Sequence, residues 1–312
     1  MAHIKNFKNI SKRDVGIAGG KGASLGEMIQ SKIPVPPGFV ILSGAFEKFL
    51  KETDVGVEID AMWDRLNIKS TDNLEENSAL IREIILKKKF PAGLAKEILK
   101  DFDKLGSRYV AVRSSATAED SKSDAWAGQL DSYLYVTKKN LLESVQKCWA
   151  SLFTPRAMFY RVERKLTKNK VSVAVVVQKM VNSEVSGVCF TVHPVTRDKD
   201  QMIIEAGWGL GEAIVQGIIT PDSYVIEKST FNLIDLNVNT QEKQIVRAKK
   251  LTEEKAVPND KRESQKLSEK QIQELASICL GIEKHYGFPC DIEWALEKSK
   301  FYITQSRPIT TL

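Results

Sequence analysis

The chain alternates between three patterns of apolar spacing. Ala23 to Gln30 follows a glycine cluster and reads as a helix, and Phe39-Val40-Ile41-Leu42 after Pro34-Val35-Pro36-Pro37-Gly38 reads as a short strand. Over residues 56–105 the apolar positions recur at helical spacing. Ile59, Met62, Trp63 and Leu66 form one stripe, Leu80, Ile81, Ile84 and Ile85 a second, and Leu94, Ile98 and Phe102 a third after Pro91. This predicts a helical insertion of three helices. Tyr109-Val110-Ala111-Val112 predicts a strand that ends at Arg113-Ser114-Ser115, followed by a loop of small and polar residues. Residues 141–153 read as helical, and Thr154-Pro155 restarts a helix with Thr as N-cap and Pro in the first turn.

After residue 170 the pattern turns to strands. The run 171–181 is almost wholly apolar, as a strand buried on both faces requires. Residues 188–192 and 202–205 continue it. Residues 240–271 are polar and predict a solvent-facing excursion. A helix over 272–285 is stopped by Gly287 and Pro289, and strands at 292–296 and 301–304 are joined by Glu297-Lys298-Ser299-Lys300.

Composition narrows the classes. Hydrophobic residues are 42% and charged residues 28%, enough apolar material for a core. No apolar run reaches the roughly 18 residues that span a bilayer, and the first residues have no apolar leader. The net charge of +6, from 46 Lys+Arg against 40 Asp+Glu, is dispersed, so neither a nucleic-acid nor a membrane partner is expected. The four cysteines (Cys148, Cys189, Cys279, Cys290) lack CxxC spacing and read as reduced cytoplasmic thiols.

Two glycine-rich motifs fail the common nucleotide patterns. Gly19-Gly20-Lys21-Gly22 has Val15 where a Walker A loop needs Gly, and Gly22 where it needs Ser or Thr. A Lys at a helix start still suits an anion, and a plain turn fits equally. Gly207-Trp208-Gly209-Leu210-Gly211 has Glu212 where the dinucleotide fingerprint needs Gly, so tight packing after a strand is the simpler reading. Arg113 at a strand end beside a glycine-containing loop fits bidentate phosphate binding or a structural ion pair. The C-terminal hairpin is more specific. Asp291 and Glu293 share one strand face, as do Gln305 and Arg307. The pairs 291/307 and 293/305 have the same sum, as one antiparallel ladder requires. This register sets Asp291 against Arg307 and Glu293 against Gln305, a set of hard oxygen ligands for Mg²⁺ with a cation for phosphate.

Taken together, GGKGASLGEM (19–28), PVPPGFV (34–40), VAVRSSATAED (110–120), WAGQLDSYL (126–134), ASLFTPRAMFYR (150–161), VVVQKMV (175–181), GVCFT (187–191), GWGLGEAIVQG (207–217) and EKHYGFPCDIEWA with YITQSRP (283–308) resemble the ATP-binding domain of the phosphoenolpyruvate synthase and pyruvate phosphate dikinase family. The resemblance implies an α/β ATP-grasp architecture in which two lobes clamp Mg-ATP. The first lobe would be 1–55 with 106–170, the insertion 56–105, and the second lobe 171–312. By motif, Lys21 and Arg113 would contact phosphates, with Gly128 and Ser132 on a loop covering them. Gln178 and the backbone of Lys179, Met180 and Val181 would recognise adenine. Glu293 and Gln305, with Asp291 as a further candidate, would hold Mg²⁺, and Arg307 would bind phosphate.

The implied activity is phosphotransfer from ATP to a histidine on another domain, in cis or in trans, and then to pyruvate in a further domain. The chain alone is expected to be incomplete for that relay. His193, which replaces the family's usual Asp or Asn before Pro, reads as a loop residue. The ATP domain of a rifampicin phosphotransferase, a pyruvate phosphate dikinase subunit and a non-catalytic nucleotide-binding subunit remain alternatives.

Overall fold

A computed structural model describes residues 2–117, 131–163, 172–248 and 252–309. The chain divides into two compact units, Met1–Glu27 with Pro37–Met180, and Met28–Pro36 with Val181–Leu312. Each is a mixed α/β unit built on one antiparallel sheet.

The first unit contains β1 (Ile4–Asn6), α1 (Val15–Gln30, its last turn counted with the second unit), β2 (Gly38–Ile41), α2 (Ser43–Glu52), α3 (Val55–Asp64), α4 (Thr71–Lys87), α5 (Ala92–Leu105), β3 (Val110–Ala116), β4 (Ser132–Val136), α6 (Leu141–Ala150), α7 (Pro155–Glu163) and β5 (Val173–Lys179). Its sheet order is β1-β2-β5-β3-β4. One face packs through Val110, Val112, Val173, Val175 and Val177 into a cluster with Trp149, Phe46 and Phe49. Burying each such side chain contributes about 1.5–3 kcal/mol. The insertion is the three helices expected, α3 to α5. Its stripes (Ile59, Ile81, Ile85, Leu94, Ile98, Phe102) join the same cluster. α5 stops at Gly106, which is left-handed with φ 61°.

β5 corrects the boundary drawn at residue 171. It is the central strand of the first unit, between β2 and β3, so its ladder on both sides ties it there. A second correction concerns the glycine cluster. The helix begins at Val15, kinks at Gly19 (φ 68°, ψ 169°) and resumes at once, so Lys21 lies in the first turn after the kink rather than in a preceding loop.

The second unit contains β6 (Val185–Phe190), β7 (Gln201–Trp208), α8 (Glu212–Val215), β8 (Asp222–Glu227), β9 (Leu233–Asn237), β10 (Lys243–Arg247), β11 (Thr252–Ala256), α9 (Glu269–Tyr286), β12 (Cys290–Glu297) and β13 (Lys300–Pro308). Its sheet order is β13-β12-β6-β7-β8-β9, with β10-β11 a separate hairpin. α9 starts at a capping box of Ser268 and Gln271 and ends at left-handed Gly287. It covers the sheet face that carries Ile292, Cys189 and Ile204. The Cys189 thiol touches Cys279 on α9.

The excursion over 240–271 is not merely solvent-facing. Lys266 and Asp222 form an ion pair at 2.9 Å with both side chains fully buried. Asp222 also accepts from the Lys266 and Asn239 backbone N–H groups and from the Tyr224 hydroxyl. A buried charge is tolerated only when paired and hydrogen-bonded in this way. The four cysteines are buried free thiols. Among the described residues no helix is long and apolar enough to cross a membrane.

Candidate functional site

In the first unit the expected phosphate residues sit on one sheet face. Arg113 lies in the middle of β3 rather than at its end, opposite Val176 of β5 and Ser132 of β4. Val110, Val112 and Ala116 point to the core, so Arg113 and Ser115 point to the other face by strand alternation. Directly opposed residues share a face, so exposed Ser132 stands beside Arg113, on an edge strand rather than a loop. Gln178, opposite Ala111, is buried on the same face.

Ser115 was not legible as a functional residue, yet it brings Lys21 to that face. Its hydroxyl donates to the Ala18 carbonyl at 3.0 Å and accepts from the Gly22 N–H at 3.2 Å, spanning the kink that precedes Lys21. A Cβ on Gly19 would lie 2.2 Å from Ser115 Oγ, so only glycine fits there. Its one sequence signal is its place two positions past Arg113.

At the end of β5, the Lys179 N–H donates to the Pro37 carbonyl (2.8 Å) and the Met180 N–H to the Tyr109 carbonyl (3.1 Å). Those two donors are already engaged, so a base beside this segment would meet its other groups. Val181 is buried. Gly128 lies outside the described residues.

In the second unit the hairpin register is the one expected, Asp291 with Arg307 and Glu293 with Gln305. A bulge just beyond Glu293 then moves the register by one, pairing Trp294 with Ile303. Gln305 Nε2 donates to Glu293 Oε1 at 3.0 Å. Arg307 donates to Asp291 Oδ2 from Nε at 2.8 Å, with Nη2 at 2.7 Å. Burial pushes the Asp291 carboxyl above its usual range, and Arg307 only partly offsets this.

The ladder extends this polar row across the sheet. Glu293 pairs with Val188, which pairs with Glu205, while Asp291 pairs with Phe190, which pairs with Ile203. The face away from α9 is thus an apolar floor of Val188, Phe190 and Ile203. Asp291, Glu293, Gln305 and Arg307 lie on one side of it and Glu205 on the other. Burial, and then the Asp291 charge, raise the Glu205 carboxyl above its usual range. Sequence reading missed Glu205. It carries the same signal as Glu293, a lone carboxylate among apolar strand residues.

Carboxylate and amide oxygens are hard donors that suit Mg²⁺. Among the described residues no group of three or more His, Cys, Asp or Glu is arranged to hold a metal. One or two protein ligands fit an ion that takes its remaining ligands from phosphates and water, which is the usual mode for Mg²⁺.

The histidines are committed elsewhere. His3 Nδ1 lies 3.3 Å from Glu97. His193 Nδ1 accepts from the Val195 and Thr196 N–H groups, the turn-closing role of an Asp or Asn side chain. The His285 ring meets the Ser31 hydroxyl.

Residues 15–312 match the family described as pyruvate phosphate dikinase, AMP/ATP-binding domain. A probable phosphoenolpyruvate synthase of Methanocaldococcus jannaschii is 46% identical over 320 residues, covering 100% of this chain and 27% of that protein. One of Methanothermobacter thermautotrophicus is 43% identical, covering 99% of this chain and 46% of that protein. A rifampicin phosphotransferase of Bacillus cereus is 38% identical, covering 99% and 36% respectively. The chain therefore spans less than half the length of these relatives. A crystal structure of D-alanine-D-alanine ligase from Helicobacter pylori overlaps 75% of the chain and 53% of its own at 10% identity and a TM-score of 0.32, too low to argue from.

Proposed function

Since the chain belongs to the pyruvate phosphate dikinase AMP/ATP-binding domain family, we propose that it binds Mg-ATP and passes a phosphoryl or pyrophosphoryl group to a histidine on a separate domain, and thence to pyruvate in a further domain. The observation that carries this reading is the hairpin. Its register lines up Glu293 with Gln305 and Asp291 with Arg307 on the face of the sheet away from α9.

In this reading Lys21, Arg113 and Arg307 neutralise phosphate charge. Glu293 and Gln305 hold Mg²⁺, which when bound screens the phosphates and fixes their orientation. Asp291 aims Arg307, since its Oδ2 is already taken by that guanidinium. Gln178 and the segment of Lys179, Met180 and Val181 receive adenine, and Ser132 and Gly128 belong to the cover over the phosphates. Phosphoryl transfer asks little covalent chemistry of the protein, so positioning and charge neutralisation are its contribution. The engagement of all three histidines within the fold supports an acceptor histidine on another domain. The four free thiols suit the cytoplasm.

A rifampicin phosphotransferase role is the second reading, supported by the relative from Bacillus cereus. The higher identity to the phosphoenolpyruvate synthases favours pyruvate.

The test uses ATP labelled at the β position, with the phosphohistidine domain of a phosphoenolpyruvate synthase added in trans. Label should appear on that domain's histidine and should be lost in Lys21→Ala and Arg113→Ala. The 312-residue chain with ATP and pyruvate but without that domain should form no phosphoenolpyruvate. Label transfer that persists in Arg113→Ala, or product from the chain alone, overturns the reading.

A further inference from the structure

The second unit carries a cavity of about 370 Å³ on the α9 side of its sheet, opposite the face that bears Asp291 and Glu293. That volume is in the range of small-ligand sites. Its floor is one row of the ladder, Leu296, Val185 and Trp208. Its roof comes from the β10 hairpin and the segment after β11.

Trp208 is held as a fixed platform. The buried Gln241 amide accepts from the Trp208 N–H at 2.8 Å and donates to its carbonyl at 3.1 Å. The indole Nε1 donates to the Lys261 carbonyl at 3.0 Å. The next residue, Gly209, has φ 85°, and a Cβ there would lie 2.5 Å from the Ile245 carbonyl oxygen, so the hairpin presses on the backbone at this point. These contacts account for the glycine that follows Trp208 and also leave its ring bordering the cavity.

The groups around the ring are donors. Lys261 Nζ lies over the ring, 5.5 Å from its centroid, and has no carboxylate partner among the described residues. The Gln244 side chain lines the cavity and makes no hydrogen bond among the described residues. Gln271 uses its Oε1 in the α9 cap, which leaves its NH₂ to the cavity. Ser183 adds a hydroxyl, and Glu184 is the one carboxylate of the lining. Lys266 lines the wall, but its charge is spent on Asp222.

A rigid indole face calls for a planar ring. An ammonium over that ring with no carboxylate partner among the described residues calls for an anion, and a glutamine amide pairs in two-point fashion with the N6/N7 edge of adenine. We propose that this cavity is a second nucleotide site that takes an adenine nucleoside monophosphate, with the base on Trp208, its edge on Gln244 and the phosphate at Lys261. The inference does not rest on the ATP reading, because the residues involved are separate.

The test titrates AMP by calorimetry into the full chain saturated with Mg²⁺ and a non-hydrolysable ATP analogue. One further AMP should bind, and tryptophan fluorescence should be quenched with it. Lys261→Gln and Gln244→Ala should each weaken AMP by about tenfold, the scale of one charge-assisted or two-point contact. Both should leave the analogue's affinity unchanged, and Trp208→Phe should lose the quench. No heat in the saturated wild-type protein, or equal AMP affinity in the Lys261 and Gln244 variants, overturns the proposal. If the analogue itself fails to bind, the ATP reading falls. AMP binding to the free chain that still depends on Lys261 and Gln244 then upholds this site.

Discussion

Arg307 and Asp291 meet through a single oxygen, Oδ2, which takes both Nε at 2.8 Å and Nη2 at 2.7 Å. The pair is unequal in burial, with the Asp291 side chain 12% exposed and that of Arg307 47%. The carboxylate is a fixed anchor and the guanidinium an exposed head held by it. Burial outweighs the cation in setting the Asp291 carboxyl, which lies above its usual range. Asp291→Asn should therefore leave thermal stability unchanged or raised. The same change should weaken Mg-ATP by about tenfold, because Arg307 loses its anchor. Differential scanning fluorimetry and calorimetry on one sample separate the two effects. A large drop in melting temperature would contradict the anchor role.

Glu205 gives a pH dependence of defined sign. Its carboxyl is raised above 4.5, first by burial and then by the Asp291 charge, so the native state holds the proton more tightly than the unfolded chain. Stability then falls as pH rises from the ordinary carboxylate value through the raised native one. Glu205→Gln removes this penalty. The variant should be more stable than wild type at neutral pH, and the advantage should vanish as pH falls below the ordinary glutamate value. Urea midpoints measured across that interval check it.

Gly16 and Gly19 lie three residues apart in sequence but have opposite surroundings. Gly16 has nothing within 4 Å of a built Cβ, whereas at Gly19 the Cβ would meet Ser115 at 2.2 Å with φ at 68°. Gly16→Ala should stabilise by about 0.5–1 kcal/mol through helix propensity. Gly19→Ala should destabilise by about 2–4 kcal/mol through strain and overlap, and should weaken nucleotide binding by displacing Lys21. Chemical denaturation of both variants decides it.

The Lys266–Asp222 pair should be costly to break from one side. Lys266→Met leaves Asp222 buried without its cation and should destabilise by about 3–5 kcal/mol. Lys266→Met with Asp222→Asn should recover part of that loss. A double variant no better than the single would mean that the coupling is absent.

In the second unit's hairpin turn, Lys298 and Ser299 both have positive φ, at 50° and 60°. A two-residue turn of this kind favours Asn-Gly. Ser299→Gly should stabilise by about 0.5–1 kcal/mol, read as a shift in the urea midpoint with unchanged slope.

Local periodicity settled much of this protein. The three stripes over 56–105 became α3 to α5, because a helix positions its apolar residues by its own 3.6-residue repeat and needs no distant partner to do so. Strand alternation and a constant pairing sum likewise put Asp291 against Arg307 and Glu293 against Gln305, although the register at the turn differs by one and only the bulge after Glu293 brings these pairs into line. What the sequence left undecided depended on contacts between residues far apart in the chain. β5 joined the first unit because β2 and β3 flank it in the sheet. The kink at Gly19 was invisible because its cause is Ser115, nearly a hundred residues later. Glu205 became a neighbour of the acidic face only through β6, which lies between β7 and β12. The polar run after residue 239 hid Lys266, whose burial depends on an aspartate that only the folded sheet brings to it. A spacing of two or of 3.6 residues is written in the chain, but the partner on the next strand is chosen by the free energy of the whole packed unit.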